Sequence, residues 1–133
     1  MITALHNRRR GFTLVEIMLV VAIITLLAAI AIPNWSRGRK RSQATRILND
    51  LRVIDHALIQ WAADYNKTSG QEATLGELRI YLKPTDTPLY ENGIDLFGHP
   101  YGPFQADITP KVHPDTFAAL EEVAPAEFWS PYR

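Results

Sequence analysis

An apolar run near the N-terminus, from Phe12 to Ile32, limits what this chain can fold into more than any other feature. As a helix, a run of this length extends about 31 Å, close to the thickness of the hydrocarbon core of a bilayer. One carboxylate, that of Glu16, lies inside the run. Because an ionised group without a partner is strongly unfavourable near hydrocarbon, Glu16 needs either a partner or a function.

The charged residues are unevenly distributed, although the formal net charge of the 133 residues is zero. Three arginines precede the run, and five basic residues without an acid lie between Arg37 and Arg46. From Ile47 to the C-terminus there are thirteen acids and six bases. Basic segments on both sides of an apolar run, followed by an acidic body, do not predict a nucleic-acid-binding face. The absence of cysteine excludes a disulfide and a thiolate metal site.

Several kinds of N-terminal segment share this general pattern. A secretory signal would be cleaved after Ala29-Ile30-Ala31, but the apolar run is long for such a signal and Glu16 interrupts it. Arg9-Arg10-Gly11-Phe12 fits the general pattern of a twin-arginine signal, although such signals are only mildly hydrophobic. A plain membrane anchor is the third interpretation, and it leaves Glu16 unexplained.

A fourth interpretation explains more residues. The stretch from Arg10 to Ile17, RGFTLVEI, resembles the prepilin cleavage site of type IV pilins and type II secretion pseudopilins. The resemblance implies that a prepilin peptidase cuts between Gly11 and Phe12 and N-methylates Phe12. It also implies that Glu16 acts in filament assembly by meeting the N-terminal amine of a neighbouring subunit. Alternatively, Glu16 neutralises the amine of its own Phe12, and the two roles are compatible.

The segment after the apolar run has a helical pattern interrupted by Pro33. A proline inside a helix removes one hydrogen bond and favours a kink, so Pro33 predicts either a helix kink or a helix end. From Ala44 to Tyr65 apolar residues recur every three or four positions, which predicts an amphipathic helix with an apolar face that includes Trp61 and Tyr65. The basic segment from Arg37 to Arg46 is either a solvated collar or a contact with a neighbouring subunit.

The remaining residues predict a small body with short helices. Thr74 and Glu77 fit a capping box that opens a helix through Leu82, and a loop then extends to Gly93. Asp95 to Tyr101 resembles a turn found in major pseudopilins. Two short strands are expected within residues 101–113, and Asp115 is expected to cap a helix that begins at Thr116.

Neither a metal site nor an active site is predicted. The major pseudopilins that the chain resembles have a calcium loop with closely spaced acids. Here the late acids are dispersed, so we expect the body to fold without calcium or another cofactor. The histidines His6, His56, His99 and His113 have no metal-ligand spacing. No nucleophile motif or phosphate-binding loop is present, and no enzymatic activity is expected.

Together, these patterns and the resemblance predict an α+β, pilin-like chain. Its parts are a cytoplasmic leader (1–11), a transmembrane and filament-core helix (12–32), an amphipathic stem helix (33–66) and a small C-terminal body (67–133) with a small antiparallel sheet. The resemblance implies a structural subunit of a type II secretion pseudopilus. The subunit is held in the inner membrane with its body in the periplasm, before assembly into a periplasmic filament that drives protein export.

The implied partners are copies of this chain, other pseudopilins, the prepilin peptidase, the inner-membrane secretion platform and, before assembly, membrane lipid. No nucleic acid is expected as a partner. Two alternatives stay open at this point. One is a type IV pilus subunit of a surface fibre or DNA-uptake filament, and the other is a singly anchored, non-enzymatic binding domain.

Overall fold

The helix α1 (Leu14–Asp64) comprises 51 residues and contains Pro33. It belongs to a computed structural model that describes residues 11–84 and 87–133. The helix continues through the proline, so the alternative of a helix end at Pro33 is wrong. A kink at this position stays a prediction, and the leader before Gly11 lies outside the described residues.

The chain divides into two units, one that ends at Ser36 and one that begins at Arg37. In the first unit, none of the side chains from Phe12 to Ile32 is buried. The second unit contains the hydrophobic core, in which nine residues of α1 are buried. They are Ala44, Ile47, Leu48, Leu51, Ile54, Ala57, Leu58, Trp61 and Ala62. Their spacing is that of one helix face, which confirms the predicted amphipathic stem.

Tyr65 was predicted to belong to this buried face, and that prediction is wrong. The helix ends at Asp64, and Asn66 adopts a left-handed conformation with φ 49°. The chain therefore leaves the helical path at Tyr65, whose side chain is exposed. The side chains that cover the stem come instead from the C-terminal body.

The body is built from short elements. They are β1 (Glu72–Ala73), α2 (Leu75–Leu78), α3 (Pro88–Asn92), β2 (Phe104–Gln105), α4 (Pro114–Leu120) and a 3₁₀ helix (Ala126–Trp129). The two strands pair antiparallel, with Glu72 opposite Gln105 and Ala73 opposite Phe104. These elements, together with α1, confirm the α+β fold class.

Local signals account for the start of α2. The Thr74 hydroxyl accepts a hydrogen bond from the backbone N–H of Glu77, and the Glu77 carboxylate accepts one from the backbone N–H of Thr74, which confirms the capping box. The helix is shorter than predicted, because turns replace it after Leu78. Leu78 and Leu82 are nevertheless both buried, as expected from their spacing.

The segment before Gly93 contains α3, where only a loop was expected. Thr87 is its N-cap, Pro88 occupies the first turn, and Gly93 ends it in the left-handed conformation with φ 67°. A Cβ at Gly93 would also lie 3.2 Å from the Leu75 side chain, so glycine meets two local requirements.

The predictions for residues 101–113 and for the next helix need correction. Of the two expected strands only β2 forms, and its partner is β1, which lies far earlier in the chain. The N-cap of α4 is His113, whose Nδ1 accepts a hydrogen bond from the backbone N–H of Asp115 at 3.3 Å. Asp115 therefore lies in the first turn of α4 and is not its cap.

Candidate functional site

The N-terminal motif folds into a helix start. Thr13 precedes α1, and its hydroxyl accepts a hydrogen bond from the backbone N–H of Glu16 at 3.2 Å. Oε2 of Glu16 accepts hydrogen bonds from the backbone N–H of Thr13 at 2.8 Å and from the Thr13 hydroxyl at 2.9 Å. This reciprocal pattern is a capping box. The Glu16 carboxylate thus has a partner on its own chain, which sequence reasoning did not identify.

Gly11 and Phe12 lie immediately before this helix start and are exposed, Phe12 to 84%. A Cβ added at Gly11 would meet nothing within 4 Å among the residues that the structure describes. Packing within the described part of the chain therefore does not demand glycine at this position.

The side chains of the apolar segment that follows are not buried within the chain, so an apolar environment can cover them. By length and composition alone, α1 qualifies as a helix able to cross a membrane, and the qualifying window has none of its residues buried within the chain. Its large side chains are exposed on all sides of the helix, as in Val15, Ile17, Leu19 and Val20.

The basic segment after Ser36 contacts the C-terminal body of the same chain. Arg37 and Lys40 form ion pairs with Glu122 at 3.3 and 3.4 Å. Arg41 donates a hydrogen bond to the carbonyl of Val123 at 3.1 Å. Part of the segment that was interpreted as a solvated collar or a subunit contact therefore has intramolecular partners.

The turn from Asp95 to Tyr101 is organised around a buried carboxylate. Oδ1 of Asp95 accepts hydrogen bonds from the backbone N–H groups of Phe97 and His99 at 2.8 and 2.9 Å. Gly98 has φ 86°, and Ile94 pairs with Pro100 in an antiparallel bridge. The geometry confirms the tight turn that was expected from the sequence.

Tyrosines of the body donate hydrogen bonds to three acids of the stem. Tyr101 donates to Asp50 at 2.9 Å. Tyr132 donates to Asp55 at 3.4 Å, and Tyr81 donates to Asp64 at 2.7 Å. These bonds join residues 51, 77 and 17 positions apart along the chain, so local sequence pattern gave no signal for them.

These hydrogen bonds and the burial of their partners change the pKa values of Asp50, Tyr101 and Tyr81. Burial raises the pKa of the Asp50 carboxyl, and the hydrogen bond from Tyr101 opposes that rise. Burial and the negative charge of Asp50 raise the pKa of Tyr101. The hydrogen bond to Asp64 raises the pKa of Tyr81 to about 12.

Two of the histidines that have no ligand spacing in the sequence come together in the structure. One possible ligand atom from each of His99, His113 and Asp115 lies within 4.8 Å of the others. This group was missed because the turn at Asp95 and the start of α4 meet only in the folded body.

Comparison with known proteins places the N-terminal motif in a defined class. Residues 6–32 match a family described as the prokaryotic N-terminal methylation motif. The chain is 30% identical over 105 residues to the type II secretion system core protein G of Aeromonas hydrophila, a match that covers 71% of this chain and 72% of that protein. The chain belongs to the family of type II secretion system core protein G.

Other relatives match a smaller share of one or both chains. The core protein G of Dickeya chrysanthemi is 31% identical over 84 residues, which cover 63% of this chain and 54% of that protein. The type IV major pilin of Myxococcus xanthus is 45% identical over 53 residues, or 40% of this chain and 24% of the pilin. The chain thus spans about half of the Dickeya relative. No solved structure matches the chain significantly.

Proposed function

We propose that this chain is a structural subunit of a type II secretion pseudopilus, which assembles into a periplasmic filament that drives protein export. The observation that carries the proposal is the extent of the similarity. The match to the Aeromonas core protein G covers 71% of this chain, whereas the match to the Myxococcus pilin covers 40%. Similarity to core protein G therefore extends further along the chain than similarity to the pilin.

Processing at the N-terminus is the first part of the proposal. The peptidase cuts between Gly11 and Phe12 and N-methylates Phe12. The exposure of both residues supports this assignment, because a peptidase needs access to the backbone. We infer that the peptidase recognises the glycine, since packing among residues 11–84 and 87–133 does not require it.

Glu16 is the proposed assembly residue. Cleavage creates a cationic amine on Phe12, and the Glu16 carboxylate is the nearby anion in an otherwise apolar segment. The capping box with Thr13 holds this carboxylate at the helix start before assembly. In the filament the amine of a neighbouring subunit supplies the opposite charge, which lowers the cost of burying Glu16.

The proposed location is the inner membrane, with a cytoplasmic leader and a periplasmic body. The leader contributes Arg8, Arg9 and Arg10 to the cytoplasmic flank, as positive-inside orientation favours. The basic residues on the other flank oppose this orientation. Pairing of Arg37 and Lys40 with Glu122 offsets part of their charge and supports the proposed direction.

The partners follow from this role. They are copies of the chain and other pseudopilins in the filament, the prepilin peptidase, the secretion platform, and lipid before assembly. The chain acts without enzymatic activity, and its apolar segment is the surface that neighbours cover once it leaves the bilayer.

A type IV pilus subunit is the second candidate, favoured by the higher identity of the pilin match within its shorter span. Expression beside each assembly system distinguishes the two. We expect incorporation into filaments with the core protein G machinery, whereas incorporation only with pilus machinery would favour the pilin. A chain that stays monomeric with both would favour a singly anchored binding domain.

Mass spectrometry of membrane-derived protein tests the processing step. The expected mature chain begins at N-methylated Phe12 when the peptidase is present and keeps residues 1–11 when it is absent. A mature start at Ile32 in both strains would identify an ordinary secretory signal and overturn the proposal.

A further inference from the structure

We propose that His99, His113 and Asp115 form a binding site for one zinc-type divalent cation on the surface of the body. The site lies where the Asp95 turn meets the start of α4, within the C-terminal body. It differs from a calcium site in its chemistry, because two of its three ligands are imidazole nitrogens.

The two imidazole rings are already held beside each other. They stack with their centroids 4.6 Å apart and an angle of 10° between their planes. Nε2 of His99 lies 4.0 Å from Oδ2 of Asp115, and Nδ1 of His113 lies 3.7 Å from the same oxygen. Ligand atoms around a tetrahedral zinc ion are roughly 3.3 Å apart. Closure on one ion therefore requires the three side chains to move closer and the two stacked rings to turn, so that their in-plane lone pairs meet at the ion.

The protonation of His99 follows from its neighbours. The hydroxyl of Thr116 donates to the Asp95 carboxylate, so its oxygen accepts the hydrogen bond from His99 Nδ1, which is 2.8 Å away. In the neutral imidazole, Nδ1 therefore carries the proton and Nε2 keeps a free lone pair. Asp95 and Thr116 are both buried, so the hydrogen bonds from His99 to Thr116 and from Thr116 to Asp95 fix the orientation of the His99 ring. Hydrogen bonds of this kind orient metal-binding histidines.

His113 also has a nitrogen, Nδ1, that can bind a cation near the Asp115 carboxylate. Nδ1 of His113 accepts the backbone N–H of Asp115 at 3.3 Å, so in the neutral ring Nδ1 is unprotonated. This hydrogen bond is long, and a cation bound at Nδ1 would replace it. In these neutral tautomers, each ring has an unprotonated nitrogen within 4.0 Å of the Asp115 carboxylate.

The ligand set selects the class of cation. Imidazole nitrogen with a carboxylate suits zinc and related transition metals, whereas calcium takes six or more oxygens. The positive end of the α4 dipole disfavours a cation, and the negative charge of Asp115 in the first turn offsets it. The Asp115 side chain is 75% exposed, which leaves a path for the ion and room for water as a further ligand.

Titration of the untagged, metal-free full chain in detergent with zinc chloride tests the proposal, with calorimetry and thermal unfolding as readouts. We expect one bound zinc ion per chain and a rise in melting temperature, and no such rise with calcium chloride. Absence of zinc binding, or equal effects of calcium and zinc, would overturn the proposal.

Substitution of each proposed ligand tests the position of the zinc site. His99→Gln, His113→Ser and Asp115→Asn should each weaken zinc binding at least tenfold. Serine is a good N-cap, so His113→Ser removes the ligand while preserving the start of α4. The matched control is the double variant His6→Gln/His56→Gln, which removes the other two histidines and should bind zinc like the unmodified chain. Undiminished binding by His113→Ser, or loss in the control, would place the ion elsewhere.

A second measurement needs no variant. In ¹⁵N NMR spectra of the unmodified chain, zinc should shift the resonances of His99 Nε2 and His113 Nδ1 most, while His99 Nδ1 keeps its proton. Larger changes at His56 than at these nitrogens would contradict the assignment.

Discussion

Two apolar stretches of the chain differ in whether the rest of the chain covers their side chains. From Phe12 to Ile32 apolar residues surround the helix, and none is buried within the chain. From Ala44 to Ala62 apolar residues occupy one face, and nine of them are buried in the body. The difference teaches that the distribution of polar residues around a helix indicates what covers it. A helix with apolar side chains on all sides needs lipid or neighbouring molecules to cover them. A helix with apolar side chains on one face is covered by the rest of its own chain.

Loss of the charge at position 16 should have the largest effect, and only on the first stretch. Glutamine also fits the third position of a capping box, so Glu16→Gln preserves the helix start but not the anion. Leaving a buried amine unpaired costs about 3–5 kcal/mol, enough to abolish assembly. Cross-linking in membranes that contain the assembly machinery should show ladders for the unmodified chain and monomers for the variant.

Thr13→Val provides the matched control, because it removes the two hydrogen bonds of the Thr13 hydroxyl and keeps the Glu16 carboxylate. It should still form ladders. Intact ladders in Glu16→Gln, or unfolding of its body, would show that this glutamate does not act through assembly.

Truncation of one leucine in each stretch sharpens the comparison through stability. Leu51 is fully buried, so Leu51→Ala should lower the free energy of unfolding of the body by about 2–5 kcal/mol. Leu27 is 61% exposed, and Leu27→Ala should leave that free energy nearly unchanged. Guanidinium unfolding in detergent, followed by tryptophan fluorescence, measures both. Equal losses of unfolding free energy in the two variants would contradict the proposed distinction between the two stretches.

Removal of the Tyr101 hydroxyl tests the polar contacts between body and stem. Tyr101→Phe leaves the half-buried Asp50 without its donor, which should cost about 1–3 kcal/mol at neutral pH. The pKa of Asp50, already raised by burial, should rise further. The folded state then holds the proton more tightly than the unfolded state, so stability falls as pH rises between their pKa values.

The deficit of Tyr101→Phe should therefore be small below the ordinary Asp pKa of 3.8 and grow toward pH 7. Unfolding curves across this range provide the measurement, with Asp50→Asn as the background control. A deficit that keeps its pH dependence in that background would assign the effect to another acid.

The smallest effect is expected at the ion pairs of the basic segment. Glu122→Gln removes the partner of Arg37 and Lys40, and exposed pairs of this kind contribute about 0.2–1 kcal/mol. The loss should shrink further in 1 M salt, where charges are screened over about 3 Å. A larger or salt-independent loss in the unfolding curves would indicate that Glu122 acts through packing.

Sequence pattern predicted the features that depend on neighbouring residues. Three features each depend on residues only a few positions apart: the apolar face of α1, the capping box at Thr74 and the turn at Asp95. The signals for α3 were also local, a threonine and proline at its start and a glycine at its end, but they were interpreted as a loop.

The remaining features depend on contacts between distant segments. The pairing of β1 with β2 joins residues about thirty positions apart, and neither strand is long enough to show an alternating pattern. The bond from Tyr132 to Asp55 and the approach of His99 to His113 likewise arise only once the body has folded. Glu16 is an intermediate case, because its place in the motif was predicted from sequence but its bond to Thr13 was not.

The sheet formed by β1 and β2 has a consequence for how copies of this chain can join. Each strand is only two residues long, and each has an unpaired outer edge in the part of the chain that the structure describes. Such an edge offers too few backbone groups to template the strand of another molecule. Edge-to-edge pairing of strands between folded bodies is therefore disfavoured, even where copies of the chain lie close together.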